Sequence, residues 1–291
     1  SEGNKNYKWL KGPFLINNIV HEEKTPPSET TGKDLGQYTE YAGSKGFLNE
    51  VDVCINLVGI LYEKGEYKFE KLHFKFPELI TKILKEKKKI KQFIHFSSLG
   101  VKDGTDSKYL QTKFRAENHI KNSLQNYVLI KPSVVFGPDD NFFNTFAKLA
   151  RIFPILPIVG CEVKFQPCYV GDVGDAINYI VETETLAKTY ELAGPKNYTL
   201  YELIKFMLKE IRRKNVIIPL PFGIGKFQAF FMQLLPKPIL TIDQIKILES
   251  GDNITTGKNN TFSDLSILPR SVESIVPTYL KYHRPAGQFT K

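Results

Sequence analysis

Three short apolar runs set what this chain can become. Val51 to Val58 reads VDVCINLV, Phe93 to Phe96 reads FIHF, and Tyr127 to Val135 reads YVLIKPSVV. Compact apolar runs bounded by polar residues or glycine suit strands buried on both faces of a parallel sheet. Helical periodicity fills the intervals. Phe69 to Lys89 carries Leu72, Phe76, Leu79, Ile80, Ile83 and Leu84 at helical spacing, with Pro77 placed to start or kink the helix. Asp106 or Ser107 can cap a second helix through Tyr109, Lys113, Ala116 and Ile120. Strand, helix, strand, helix, strand is the rhythm of a parallel α/β sheet. The expected fold class is α/β, a Rossmann-like doubly wound parallel sheet with a smaller C-terminal α/β lobe.

Further on, Asn141 to Arg151 reads as a short helix, and Pro154 and Pro157 are expected to break the chain. Gln166 to Val170 leads to Asp172, whose carboxylate is placed to cap a helix through Ala176, Ile177 and Ile180. Tyr190 to Gly194 is a strand and turn, and Thr199 can cap a helix from Leu200 to Arg212. Residues 1–138 form the expected Rossmann-like domain, completed by about 165–194, while 139–164 and 195–291 form the smaller lobe. Residues 1–50 are atypical. A dinucleotide-binding fold opens with a strand, a Gly-rich turn and a helix that meets the pyrophosphate. Gly12, Gly32, Gly36, Gly43 and Gly46 do not have that spacing. Either the phosphate cradle is lost or the sequence omits segments of a longer chain.

In Phe222 to Leu240, Ile224, Phe227, Phe231 and Leu234 fall on one helical stripe, with Pro236 and Pro238 ending it. The stripe is either core or a docking face for a membrane surface or partner, and the segment is too polar and broken to span a bilayer. The net charge of +9 is partly concentrated in Lys82, Lys85, Lys87, Lys88, Lys89 and Lys91. Without interleaved aromatic residues this run reads as a solvated helix end, not a nucleic-acid surface. Three cysteines without a CxxC pair point to a reducing compartment, and the scattered histidines predict no metal site. The first residues, Ser1 to Lys5, have no apolar core, so no secretory signal is expected there.

Chemistry concentrates between Phe93 and Pro138. Tyr109 and Lys113, four apart, share a helix face. A lysine cation beside a phenol favours phenolate and lowers the tyrosine pKa from near ~10. The tyrosine can then act as general acid or base toward a carbonyl or alcohol. Ser97 and Ser98 end the strand before this helix, and Lys131-Pro132-Ser133 lies in the strand after it.

These residues resemble the atypical, extended branch of the short-chain dehydrogenase/reductases. NLVGILYE from Asn56, FIHFSS from Phe93, SKYLQTK from Ser107, KPSVVFGP from Lys131 and FQPCYVGDV from Phe165 are similar to the reductase-like accessory subunits of respiratory complex I (NADH:ubiquinone oxidoreductase). Gly32 to Gln37 and Phe74 to Pro77 extend the likeness. The resemblance implies a reductase fold that holds NADPH tightly without an established substrate. It implies other complex I subunits as partners, no nucleic acid, and a mitochondrial location. There the subunit lies peripherally on the matrix side of the inner membrane, where the hydrophilic arm meets the membrane arm; a bacterial cytoplasm or inner-membrane surface is the alternative. It further implies that Leu57, Val58 and Gly59 line the adenosine side, that Ser97, Ser98, Tyr109 and Lys113 meet the nicotinamide ribose, and that Pro132 and Ser133 sit by the nicotinamide. The alternative function is a free-standing NAD(P)-dependent short-chain reductase or epimerase using Ser97, Tyr109 and Lys113 catalytically. A cofactor-free scaffold is a third reading.

Overall fold

The computed structural model describes residues 52–86, 90–235 and 238–285. The expected strand of Phe14 to Val20, the question of the Gly-rich turn and Lys87 to Lys89 lie outside the described residues. Four strands form a parallel sheet in chain order: β1 (Val53–Asn56), β2 (Gln92–Phe96), β3 (Tyr127–Pro132) and, later in the chain, β8 (Lys188–Leu192). β2 and β3 are buried along most of their length, as the apolar runs require.

Helices cover both faces. On one face a π-helical turn, Glu70–Lys75, runs into α1 (Phe76–Glu86), and α2 (Lys108–Ser123) packs beside it. Pro77 lacks the N–H that an α-helix would present to the His73 carbonyl, which accounts for the wider turn before it. Phe93 and Leu129 meet Leu84, Ile120 and Leu124 there. On the other face α4 (Val170–Glu182) lays Ala176 and Ile180 on Ile94, Val128 and Ile130. This is the doubly wound Rossmann-like arrangement expected from the sequence.

A second apolar cluster gathers α3 (Phe143–Ile152), α5 (Leu200–Glu210) and α8 (Val272–Leu280) around Leu203, Met207 and Val276. α5 opens with the predicted cap: Thr199 and Glu202 form a capping box. α6 (Phe222–Met232) and α7 (Ile242–Glu249) follow.

Several expectations are corrected. The Tyr127–Val135 run is not one strand: β3 ends at Pro132, and β4 (Val135–Phe136) pairs instead with β7 (Cys168–Tyr169). Pro154 and Pro157 do not simply break the chain, because β5 (Ile155–Val159) pairs in parallel with β10 (Val216–Leu220). Both strands carry proline, which an edge tolerates because half of its N–H groups face away from the partner. Lys164–Phe165 and Tyr198–Thr199 form the short antiparallel pair β6 and β9. Asp172 does not cap α4. It lies inside the first turn, buried, accepts the Arg270 backbone N–H at 2.7 Å and pairs with its guanidinium at 3.0 Å.

The Phe222–Leu240 stripe is not core. α6 buries only Gly225 and Ala229, and Gly225 sits where a Cβ would lie 2.5 Å from Val159. Phe227 is 70% exposed and Leu234 73%. No described helix is long and apolar enough to cross a membrane.

Candidate functional site

The carboxyl ends of β1, β2 and β3 converge, as parallel strands in register must, and most of the predicted residues meet there. After β1, Asn56 holds the turn. Its Oδ1 accepts the Val58 N–H at 3.0 Å, which leaves Nδ2 to donate to His95 Nδ1 at 2.9 Å. Leu57 and Gly59 stay exposed above it and Val58 is half-buried. A Cβ on Gly59 would lie 3.8 Å from both His73 Nε2 and Lys113 Nζ, so this turn is the roof over the lysine.

The two histidines are held neutral. His73 Nε2 accepts the Ile60 N–H at 3.0 Å, so its proton sits on Nδ1, facing Thr112 Oγ1 at 3.3 Å. Burial, then the Lys113 charge, pushes His73 down to about 2. The same causes hold His95 at about 3, and its Nε2–H finds no partner among the described residues.

α2 presents Tyr109, Lys113 and Glu117 at successive intervals of four, one face of the helix. All three are buried. Tyr109 packs edge-on against Phe69 and His73, with ring centroids 5.8 and 5.1 Å away. Contrary to the sequence expectation, its pKa is raised, because burial dominates. Lys113 Nζ lies over the phenol ring, 5.5 Å from its centroid, and donates to Phe96 O at 3.1 Å. Burial lowers the Lys113 pKa to about 8, with Glu117 acting in the opposite sense.

The serines take different positions. Ser97 Oγ donates to Glu117, whose other carboxylate oxygen pairs with the buried Lys131 at 3.1 Å. Ser98 Oγ lies beside the Tyr109 phenol, close enough to favour its ionised form, but makes no hydrogen bond of good geometry among the described residues. Ser133 is turned to the lobe side: its Oγ donates to Asn253 Oδ1 at 2.7 Å. Pro132, half-buried, ends β3 between these two groups.

Residues not singled out from the sequence tie this edge together. Asn253 also accepts the Val134 N–H and donates to Leu99 O, joining the ends of β2 and β3. Asp243 of α7 reaches the start of α2, accepting from Ser107 Oγ at 2.8 Å, Lys108 N–H at 2.8 Å and Tyr109 N–H at 3.1 Å. Ser107 is itself the N-cap, as predicted. Only Glu117 had a local signal, its place four residues beyond Lys113.

A family model described as the RmlD substrate binding domain matches residues 92–226. Among solved structures, a dTDP-glucose 4,6-dehydratase from Streptomyces venezuelae, with NAD bound, superposes with a TM-score of 0.61 at 12% identity. That match covers 82% of this chain and 76% of the dehydratase. The shared fold is the Rossmann-like α/β fold described above. NADH dehydrogenase (ubiquinone) 1 alpha subcomplex subunit 9 of Arabidopsis thaliana is 30% identical over 255 residues, 84% of this chain. The chain spans 63% of that protein's length. The mouse protein of the same name is 30% identical over 262 residues, 86% of this chain and 69% of the mouse protein. On this likeness, the chain belongs to the family of NADH dehydrogenase (ubiquinone) 1 alpha subcomplex subunit 9.

Proposed function

We propose that the chain is an accessory, structural subunit of respiratory complex I. In this reading it holds NADPH without turning it over and helps join the hydrophilic arm to the membrane arm on the matrix side. The observation that carries the non-catalytic part is the commitment of the reductase-type groups to protein partners. A reductase tyrosine must reach a carbonyl with its hydroxyl and give up a proton. Tyr109 is buried with a raised pKa, Lys113 lies over its ring face, and Ser97 Oγ is spent on Glu117.

The residues present still fit a nucleotide. Lys113 Nζ has three donors and one recorded acceptor, Phe96 O, and lies under the exposed turn at Leu57, Val58 and Gly59. Its remaining N–H groups suit ribose hydroxyls. Ser98 Oγ is a second open partner on that side, with Tyr109 behind it. In this reading Pro132 and Ser133, at the end of β3, are the residues on the nicotinamide side. Bound NADPH carries a transferable hydride; the chain's own contribution is to orient and shield the nucleotide.

The smaller lobe, 139–164 and 195–291, supplies the docking element within 222–240. Phe227 on α6 is exposed, so Phe227→Asp should leave the fold within about 0.5 kcal/mol of the parent. The same change should release the chain from the assembly. Native fractionation with and without this change tests the reading, together with nucleotide analysis of heat-denatured protein. Co-migration with a large membrane complex and release of NADPH are expected. A small soluble oligomer that reduces or epimerises a substrate would instead favour the free-standing enzyme, and denatured protein without nucleotide the bare scaffold.

A further inference from the structure

A groove of about 390 Å³ opens between one side of α5, with the turn after it, and the start of β10. Tyr201, Lys205, Lys209 and Arg213 line it at intervals of four, with Val216 on the opposite wall. None of the three cations forms an ion pair with a described residue, and Arg213 Nε is buried without an acceptor among them. Three like charges facing one groove repel each other unless an anion joins them. The positive field reaches beyond the groove. His283 is driven below its ordinary pKa by burial first, then by Arg151 and Lys148, with Asp140 opposing and Arg213 adding to them. Asn215 ties this edge to α3 by donating to Ala150 O at 2.8 Å.

The groove runs without a break into an apolar surface. Val216 is exposed and stands opposite Ile155 in the β5–β10 ladder, while Ile218 stands opposite Pro157. Ile152, 71% exposed, and Phe153, also exposed, lie just before β5 in the chain. A free phosphate would use the cations and leave this apron unexplained. An acidic protein would need donors spread along its length. Cations flanking an exposed apolar face match a protein lying on an anionic bilayer, with its basic groups among headgroups and its apolar side chains at the acyl boundary.

We propose that the Lys205–Lys209–Arg213 groove receives the phosphate of an anionic phospholipid, with Ile152, Phe153, Ile155, Val216 and Ile218 resting in the bilayer beside it. The guanidinium of Arg213 offers the forked donors that suit a phosphodiester. The cationic groove is formed by residues outside α6, and the proposal goes beyond the assembly reading, on which it does not depend.

Vesicle sedimentation of the full chain tests it. The vesicles are neutral phosphatidylcholine, alone or with a minor fraction of anionic phosphatidylglycerol. Preferential binding to the anionic vesicles is expected. Lys205→Gln/Lys209→Gln/Arg213→Gln should lower that binding roughly 100-fold, the effect of three basic residues at an anionic surface. Lys82→Gln/Lys85→Gln/Lys188→Gln removes the same charge elsewhere and should stay within about threefold, since distant charges are screened. If the Arg213 change unfolds the chain by circular dichroism, Lys205→Gln/Lys209→Gln carries the comparison, both lysines being exposed. Equal losses from the two triple variants would overturn the site, as would indifference to vesicle charge. Stabilisation by inorganic phosphate without vesicle binding would overturn the lipid assignment, and so would retention on an acidic peptide alone.

Discussion

Removing the Glu117 carboxylate should be among the most damaging single changes in the described chain. Glu117 is 4% exposed and Lys131 8%. The carboxylate takes Lys131 Nζ at 3.1 Å on one oxygen and Ser97 Oγ on the other. Lys131 has one other recorded acceptor, Val101 O at 3.3 Å. In Glu117→Ala the ammonium stays buried with that single long bond, and the Ser97 hydroxyl loses its acceptor. Breaking a buried ion pair from one side costs about 3–5 kcal/mol. The stranded hydroxyl adds roughly 1 kcal/mol, so a loss of about 4–6 kcal/mol is expected. Lys131→Met should cost about 3 kcal/mol, because Ser97 still serves the abandoned carboxylate.

The decisive variant is Glu117→Leu/Lys131→Met. With both charges gone only the Ser97 hydroxyl is left without its acceptor, and the double variant should lie within about 2 kcal/mol of the parent. Urea unfolding followed by far-ultraviolet circular dichroism gives the midpoints, and the single variants Glu117→Leu and Lys131→Met close the double-mutant cycle that gives the coupling. If Glu117→Ala shifts stability by under about 1 kcal/mol, the carboxylate does not hold Ser97 and Lys131 as described. A double variant as unstable as the sum of the single variants would refute the argument equally.

Two further outcomes follow from the same edge of the sheet. His73 and His95 stay neutral in the fold, at about 2 and about 3, while the unfolded chain protonates both near ~6.5. The unfolded state therefore binds more protons below ~6.5, and stability, full above that pH, falls as pH drops toward the folded values by about 1.4 kcal/mol per unit for each histidine. Thermal melts from pH 7 to 5 should show this decline, and His73→Gln should flatten it; an unchanged slope would contradict the buried neutral state. Asp243→Ala leaves the Ser107 hydroxyl and the Lys108 and Tyr109 N–H groups without their acceptor, at a cost of about 2–3 kcal/mol. Asp243→Asn keeps one accepting oxygen, turns the other into an NH2 that faces a donor and removes the charge at the helix N-terminus, so it should cost roughly half as much or more; losses equal to those of Asp243→Ala in denaturant melts would show that the retained oxygen contributes nothing.

The sheet was legible because its information is local. β1, β2 and β3 are continuous apolar runs, and Ser107 and Thr199 are capping residues next to the helices they start. The errors came where local rules meet distant partners. Pro157 reads as a breaker until Val216–Leu220, some sixty residues later, gives it a strand to pair with. Asp172 has the look of a cap, but its partner is Arg270, which no spacing rule connects to it. The Phe222–Leu240 stripe could not be assigned from periodicity, since a core face and a docking face have the same pattern; exposure of Phe227 separates them.

The same distinction governs the site. Tyr109, Lys113 and the serines are placed by β2, α2 and β3, so the sequence motif and the geometry agree on where they stand. What each can do is decided by what it touches. Asp243 is more than a hundred residues from Tyr109 and Asn253 as far from Ser133, yet one fixes the start of α2 and the other takes the serine hydroxyl. A hydroxyl whose hydrogen goes to a buried carboxylate, as Ser97 does, is no longer free to hold a substrate oxygen. A phenol buried beside a lysine that sits over its ring gains little help in ionising, because desolvation opposes the charged form. The motif can therefore persist for the sake of packing and nucleotide contact. Its retention alone does not separate a catalyst from a clamp; the partners of Ser97, Tyr109 and Ser133 are what the proposal of a clamp rests on.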